Sequence, residues 1–342
     1  MMTLTYTTRK KLQRVGLVSL IILLVSILVW FCWMIWLERY MVYSRDGASL
    51  DFELREAGNG QIAAPPSVDE TVPIYYNEGA NAINVSTDLT TISGYFIDAD
   101  TLKSDLSTAR DIVAKLPAGT AVMLEVKNAK GGFYYSTGLA DAILASNVDC
   151  AAVDQLITDI TSRNLYAIAV LPAFRDYNFG LNNVSCGLAV AKGYLWADDD
   201  YCYWLNPSKT GTLNYLTDIV AELRGLGFDE VVFTEFCFPS TNKIVFDGDR
   251  NEAIAKAAST LVTACATNSF AVSFMTGDSS FTLPSGRSRL YLQNVGASSV
   301  ASVAQQTGVA DPTINLVFIA NTNDTRFNEY SVLRPIGIVS VD

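Results

Sequence analysis

Glu235 lies in the stretch GFDEVVFTEFCFP at 227–239, just after the short apolar strand Val231-Val232-Phe233. A carboxylate at that end of a strand can act as acid, base or nucleophile, because parallel α/β barrels gather their chemistry at the C-terminal ends of their strands. The plainer reading is a strand-end acid satisfied by a nearby arginine or backbone amide. The pattern recurs along the chain. Asp98 and Asp100 follow a strand at Gly94–Ile97, Glu125 and Lys127 close one at Ala121–Val126, and Arg175 and Asp176 follow one at Tyr166–Leu171. Asp278, Gln293 with Asn294, and Asn321 with Asn323 and Asp324 stand after the later strands. Few acids mark the opposite ends, Asp229, Glu230 and Asp311 being the exceptions. Glu235, Glu125 and Asp176 are therefore the catalytic candidates, expected to open on one face.

The residue types around these acids narrow the chemistry. Carboxylates and amides bond hydroxyl groups, and aromatic rings stack on the apolar faces of sugar rings. Asp98, Tyr134, Tyr203, Trp204 and Asn321 are the expected substrate-binding residues, with Tyr95, Tyr135, Phe174 and Tyr177 near them in sequence. Against this stands the simpler role of loop tyrosines as a cap on the barrel. The chain has no histidine, which removes Ser-His-Asp and Cys-His catalysis and histidine-ligated zinc. No CxxC pair, GxGxxG or GxxxxGK[ST] occurs, so no metal or cofactor is expected. Of six cysteines, Cys32 falls in the apolar N-terminal run, leaving five that cannot all pair. Cys186 with Cys202 is the first disulfide to expect; reduced, buried thiols are the alternative.

The elements that must position these groups are short apolar strands alternating with amphipathic helices. Further strands are expected at Glu230–Phe236, Ala271–Met275, Arg289–Leu292 and Ile314–Ile319, with a less regular eighth run at Ile336–Val341. Val153, Leu156, Ile157 and Ile160 share one helical face, as do Leu213, Leu216, Val220 and Leu223; Glu252–Thr263 forms a third helix. Such alternation implies parallel strands with right-handed crossovers. The 250 residues from Ser93 onward match the ~250 of a (β/α)8 barrel, favoured here over an open doubly wound sheet.

Ahead of that domain, Val15–Leu37 is an uncharged apolar run, and ~20 such residues span a bilayer. Trp30, Trp33 and Trp36 cluster at its far end, and Arg9, Lys10, Lys11 and Arg14 precede it, which keeps the N-terminus cytoplasmic. A cleaved signal peptide is the rival, but the bulky WMIWLERYMVY that follows offers no small-x-small cleavage site. The expected organisation is a cytoplasmic tail at 1–14, a transmembrane anchor at 15–37, an extracellular spacer at 38–92 and an α/β TIM-like barrel at 93–342. Within the spacer, Val72–Tyr76 is a candidate strand. Setting aside Arg9, Lys10, Lys11, Arg14 and Arg39 with Glu38 leaves 19 basic against 34 acidic residues, a net of −15. A domain so acidic is repelled by nucleic acid and other polyanions.

Four segments, SGYFIDADTL at 93–102, MLEVKNAKGGFYY at 123–135, NLYAIAVLPAFRDY at 164–177 and YWLNPSKTGTLNYLTDIVAELRGLGFDEVVFTEFCFP at 203–239, add a resemblance. In order and spacing they are similar to a bacterial, membrane- or wall-associated family of glycoside-hydrolase-like proteins with a TIM-barrel domain. Its IDVKDDDG-like strand would place a family acid at Glu125, and its FDYIRFP-like strand is degenerate here as FTEFCFP. That family's acid in FDY falls on Thr234, its arginine in IRFP on Cys237, and Glu235 replaces an aromatic residue. Successive strand residues face opposite sides, so Glu235 stands in for an acid at 234 only if the strand end twists or bulges. The resemblance implies a membrane-anchored glycoside hydrolase acting outside the cell on a surface or wall polysaccharide. A glycan-binding or scaffolding protein that lost catalysis on the same barrel is the alternative, favoured by the two departures at 234 and 237.

Overall fold

The computed structural model describes residues 89–277 and 281–338, together with residues 23–27, 29, 30, 33, 41–44 and 47–50. Eight parallel strands close into one barrel: β1 Ser93–Ile97, β2 Ala121–Glu125, β3 Tyr166–Pro172, β4 Glu230–Thr234, β5 Ala271–Met275, β6 Leu290–Gln293, β7 Leu316–Ile319 and β8 Ser331–Pro335. Each pairs with its sequence neighbours, and β8 closes on β1 through Val332↔Ser93 and Leu333↔Gly94. The fold class expected from the strand–helix alternation is the one that forms.

Period-2 alternation sorts the strand residues. Ala121, Met123, Ile168, Val170, Val232, Met275, Tyr291, Val317, Ile319 and Leu333 fill the barrel interior. The intervening residues, such as Val122, Leu124, Ala167, Ala169, Val231 and Phe233, join a second core shared with the covering helices. In α1, Cys150–Thr161, the four residues expected to face the sheet are all buried. In α2, Thr210–Gly225, Leu216, Val220 and Leu223 are buried while Leu213 is half-buried. The third expected helix extends over α3, Arg250–Cys265.

The barrel floor explains one acid at a strand's N-terminal end. Glu230 is the first residue of β4 and points inward, where it is buried against Arg289 with Nη1 to Oε2 at 2.5 Å. Tyr166 donates to the same carboxylate at 2.9 Å and Ser273 at 2.5 Å. Arg289 also donates to the carbonyls of Thr90 and Ile314, which ties the start of β1 and the lead-in to β7 to this point. Burial pushes the Tyr166 and Tyr291 hydroxyls well above the ordinary tyrosine range, so both stay neutral.

Three expectations need correction. The eighth strand is Ser331–Pro335, not the run from Ile336, and residues 336–338 form a 3-10 turn. Ser331, Val332 and Leu333 carry the pairing to β7, and the ladder to β1 reaches Pro335. The seventh strand begins at Leu316 because Asp311 caps a helical turn with Pro312 in its first turn, where a missing N–H costs nothing. Cys186 and Cys202 are not joined: Cys150, Cys186, Cys202, Cys237 and Cys265 are all free thiols.

Most of the expected span Val15–Leu37 lies outside the described residues, as do Asp278, the strand expected at Val72–Tyr76 and most of the spacer. Residues 23–27, 29, 30 and 33 are helical and exposed. Among the described residues no helix is long and apolar enough to cross a membrane. Met41–Ser44 and Gly47–Leu50 pair as an antiparallel hairpin.

Candidate active site

Inward parity carries straight to the barrel mouth. The alternation that buries Ala121 and Met123 puts Glu125 at the top of β2 facing inward, and the alternation through Val232 does the same for Thr234. Asp98 and Gln293 occupy the matching places after β1 and at the end of β6. These residues line one cavity of about 310 Å³, with Phe96, Met123, Val170, Pro172, Met275 and Ile319 around and beneath them.

Glu235 lines the same cavity although its parity is wrong. The backbone supplies the reason: Glu235 has φ +50°, a left-handed conformation, immediately after β4 ends at Thr234. The reversal brings a residue that would have faced the helices round to the mouth. Left-handed backbone in a residue without a local stabilising side chain costs about 1–3 kcal/mol and tends to be kept where it serves a site. Among the described residues the Glu235 carboxylate takes no hydrogen bond or ion-pair partner.

Glu125 is held differently. Its Oε2 accepts a 2.9 Å hydrogen bond from the Ala99 amide, at the start of a short helix that Asp98 caps through the Thr101 amide at 2.8 Å. Burial raises the Glu125 pKa above the usual glutamate range; the amide bond opposes this, and the charges of Asp98 and Asp100 add to it. A proton is thus kept on Glu125 to higher pH than on an exposed glutamate.

The other expected residues lie elsewhere. Asp176 does not reach the mouth. It is fully buried, 2.6 Å from the equally buried Lys127 Nζ, accepts from the Tyr215 hydroxyl at 2.8 Å and caps the short helix Tyr177–Asn182 through Phe179 N–H. The Lys127 contact has ion-pair distance without hydrogen-bond geometry, and Nζ also sits 5.8 Å from the ring centres of Phe133 and Tyr215. Arg175, next in sequence, pairs with Asp198 and Asp200 at 2.6 and 2.5 Å. Burial works against the charge on Asp198, but Arg175, the Cys202 amide and the Trp204 indole together hold its pKa down at about 2.

The aromatic platform expected at the mouth does not form from Tyr134, Tyr203 and Trp204. Tyr134 is buried, with its pKa raised first by burial and then by the Glu125 charge. Trp204 is buried with its indole N–H on Asp198 at 2.9 Å, and Tyr203 stacks on Tyr177 with centroids 5.4 Å apart. Large rings on a long excursion between β3 and α2 bury one another, giving the loops their own apolar contacts. Asn321 lines a neighbouring cavity of about 450 Å³ with Asn294, Thr322 and Asp324. Sequence patterning does not single out Thr234, Met275 or Ile319 as lining residues, although period-2 counting along each strand reaches all three. Among the described residues no cluster of acids and cysteines suits a metal ion.

Comparison with known proteins agrees with this architecture. A family profile described as "Putative glycosyl hydrolase domain" matches residues 101–272, half of the chain. No curated protein sequence matches. Among solved structures, a family GH36 α-galactosidase of Geobacillus stearothermophilus superposes with a TM-score of 0.51 at 11% identity, over 75% of this chain and 40% of that one. A hypothetical protein of Ruminiclostridium thermocellum gives 0.44 at 19% identity, over 58% of this chain and 96% of that one. A GH20 exo-β-N-acetylglucosaminidase of Vibrio harveyi gives 0.48 at 9% identity, over 67% of this chain and 41% of that one. The chain thus spans about two fifths of either glycosidase. At such identities the likeness to solved structures is one of fold, and only the galactosidase superposition is close enough to support the barrel assignment. The profile match reaches further, because it covers β2, β3, β4 and most of the helices packed on them: the chain belongs to the family of that glycosyl hydrolase domain.

Proposed function

We propose that this protein is a glycoside hydrolase that cleaves a cell-surface or wall polysaccharide through the carboxylate pair Glu125 and Glu235. The carrying observation is that both acids line one cavity at the C-terminal mouth of the barrel, in unlike surroundings. Glu125, buried and with its pKa raised, suits the acid that protonates the leaving glycosidic oxygen; Glu235, in the same cavity, is then the second carboxylate of the pair, the base or nucleophile. Asp98 adds an acceptor for sugar hydroxyls on the same wall.

A general acid must be protonated to act, so activity should hold up to the raised pKa of Glu125 and fall as pH rises through it. The alkaline limb of kcat/KM should therefore lie above the ordinary glutamate value of ~4.3. Glu125→Gln should remove that limb and lower kcat by about 10²–10⁴-fold on unactivated substrates. A limb left unchanged in Glu125→Gln would assign the proton to another group. The rival reading, a glycan-binding protein without catalysis, is favoured by Thr234 and Cys237, where the family motif has an acid and an arginine. It prevails if the full-length protein binds glycans across a broad polysaccharide panel and cleaves none.

The N-terminal run supports an extracellular placement of the barrel. Protease added outside intact cells should degrade the chain beyond residue 45 and leave a short membrane stub. Full protection would overturn both the placement and the polysaccharide class of substrate.

A further inference from the structure

Glu235 is not the one strand-end residue with reversed backbone at this mouth. Asn294 has φ +62° directly after β6 ends at Gln293. Asparagine tolerates this conformation better than most residues. At this strand end two consecutive side chains serve different cavities. Gln293 lines the cavity of Glu125 and Glu235, whereas Asn294 lines the neighbouring one with Asn321, Thr322 and Asp324.

The two cavities adjoin. Ile319, the last residue of β7, lines both. The neighbour is the larger, about 450 against 310 Å³, and each is of a size that holds a small ligand. Their chemistry differs. The first carries the acids; the second presents two carboxamides, a hydroxyl and one carboxylate that already pairs with Arg326 at 2.6 Å. Among the described residues, the Asn294 and Asn321 amides have no hydrogen-bond partner within the protein. Phe327 and Val295 give this cavity an apolar wall. Neutral amides that donate and accept, beside an apolar surface, match a ligand carrying several hydroxyls and no charge.

We infer that this second cavity is a sugar-binding subsite contiguous with the acid pair, so that the protein takes an oligosaccharide of at least two units across the β6–β7 side of its mouth. This rests on the glycan reading of the acid cavity and adds direction and length to it: the acids hold the bond to be cleaved, and Asn294 and Asn321 hold the next unit.

The test is isothermal titration of the full-length protein with oligosaccharides of one to six units from three series: β-1,4-linked glucose, β-1,4-linked N-acetylglucosamine and α-1,6-linked galactose. Glu235→Gln serves as background so that no sugar is consumed. Affinity in at least one series should rise about tenfold or more between one unit and two or three. Asn321→Ala should lose about three- to tenfold on the longer sugar and less than twofold on the single unit. Asn294→Gly, which keeps the left-handed backbone and deletes only the side chain, should do the same. Melting curves of both variants should overlay the parent. Binding of a single unit with no gain on lengthening, or a gain that neither variant reduces, overturns the subsite and leaves the acid cavity standing. Equal loss on short and long sugars also overturns it, since the two cavities would then act as one. No binding at any length in any series removes the glycan reading and the subsite together.

Discussion

Glu235→Gln is expected to leave the barrel folded and to lower hydrolysis at least about a hundredfold. The amide keeps the size of the side chain and loses the charge and the ability to exchange a proton, and acid–base or nucleophilic roles of this kind contribute ~10²–10⁴ in rate. Stability should barely change, since among the described residues the carboxylate has no partner to lose. A second variant sharpens the test. Glu235 sits at φ +50°, which glycine adopts without strain. Glu235→Gly should therefore be as inactive as the glutamine variant while relieving up to about 1–2 kcal/mol of backbone strain, less the greater chain entropy of glycine when unfolded. Inactivity with unchanged or raised Tm would mean that local stability has been given up to aim a carboxylate at the cavity. Full activity in a folded Glu235→Gln protein would rule the residue out.

Asp176→Ala should have the largest effect on stability. Lys127 and Asp176 are both fully buried 2.6 Å apart, and removing one charge strands the other in a low-dielectric interior. Breaking such a pair typically costs 3–5 kcal/mol, a large share of the roughly 5–15 kcal/mol by which a domain is stable. The Tyr215 hydroxyl and the Phe179 amide lose their acceptor as well. Urea unfolding should show the loss, and pairing the change with Lys127→Met should recover part of it, because the double variant contains no unpaired buried charge. Asp176→Asn that keeps wild-type stability and loses activity would instead return Asp176 to the chemistry.

The contrast between these two acids shows how far the sequence reaches. Both follow an apolar strand, and by residue type and spacing they are equivalent candidates. The difference lies in what surrounds them. Lys127 and Tyr215 come from distant stretches of the chain and converge on Asp176 only when the loops after β2 and β3 pack against α2. No local pattern announces that meeting. Trp204 is turned inward by a nearer partner, since its indole donates to Asp198 six residues earlier in the same loop and the ring becomes part of a loop core instead of a sugar platform.

Legible in the residues alone were the strand–helix alternation of a barrel, the helix faces that cover it and the strand ends that carry Asp98 and Glu125. Those follow from periods of 2 and 3.6, which depend only on backbone geometry and the removal of apolar side chains from water. The sequence also marked the strand ends as the place where acids collect. Which acids share a cavity depends on how the strand ends and loops meet in three dimensions. Glu235 enters it through a left-handed residue that breaks the alternation, and Asp176 is kept out by an ion pair formed across the fold. The eighth strand was decided the same way, since Ser331–Pro335 becomes a strand by pairing with β7 and β1 from both sides. Partners brought in from far along the chain set the charge, burial and direction of a side chain, and no stretch of local sequence contains them.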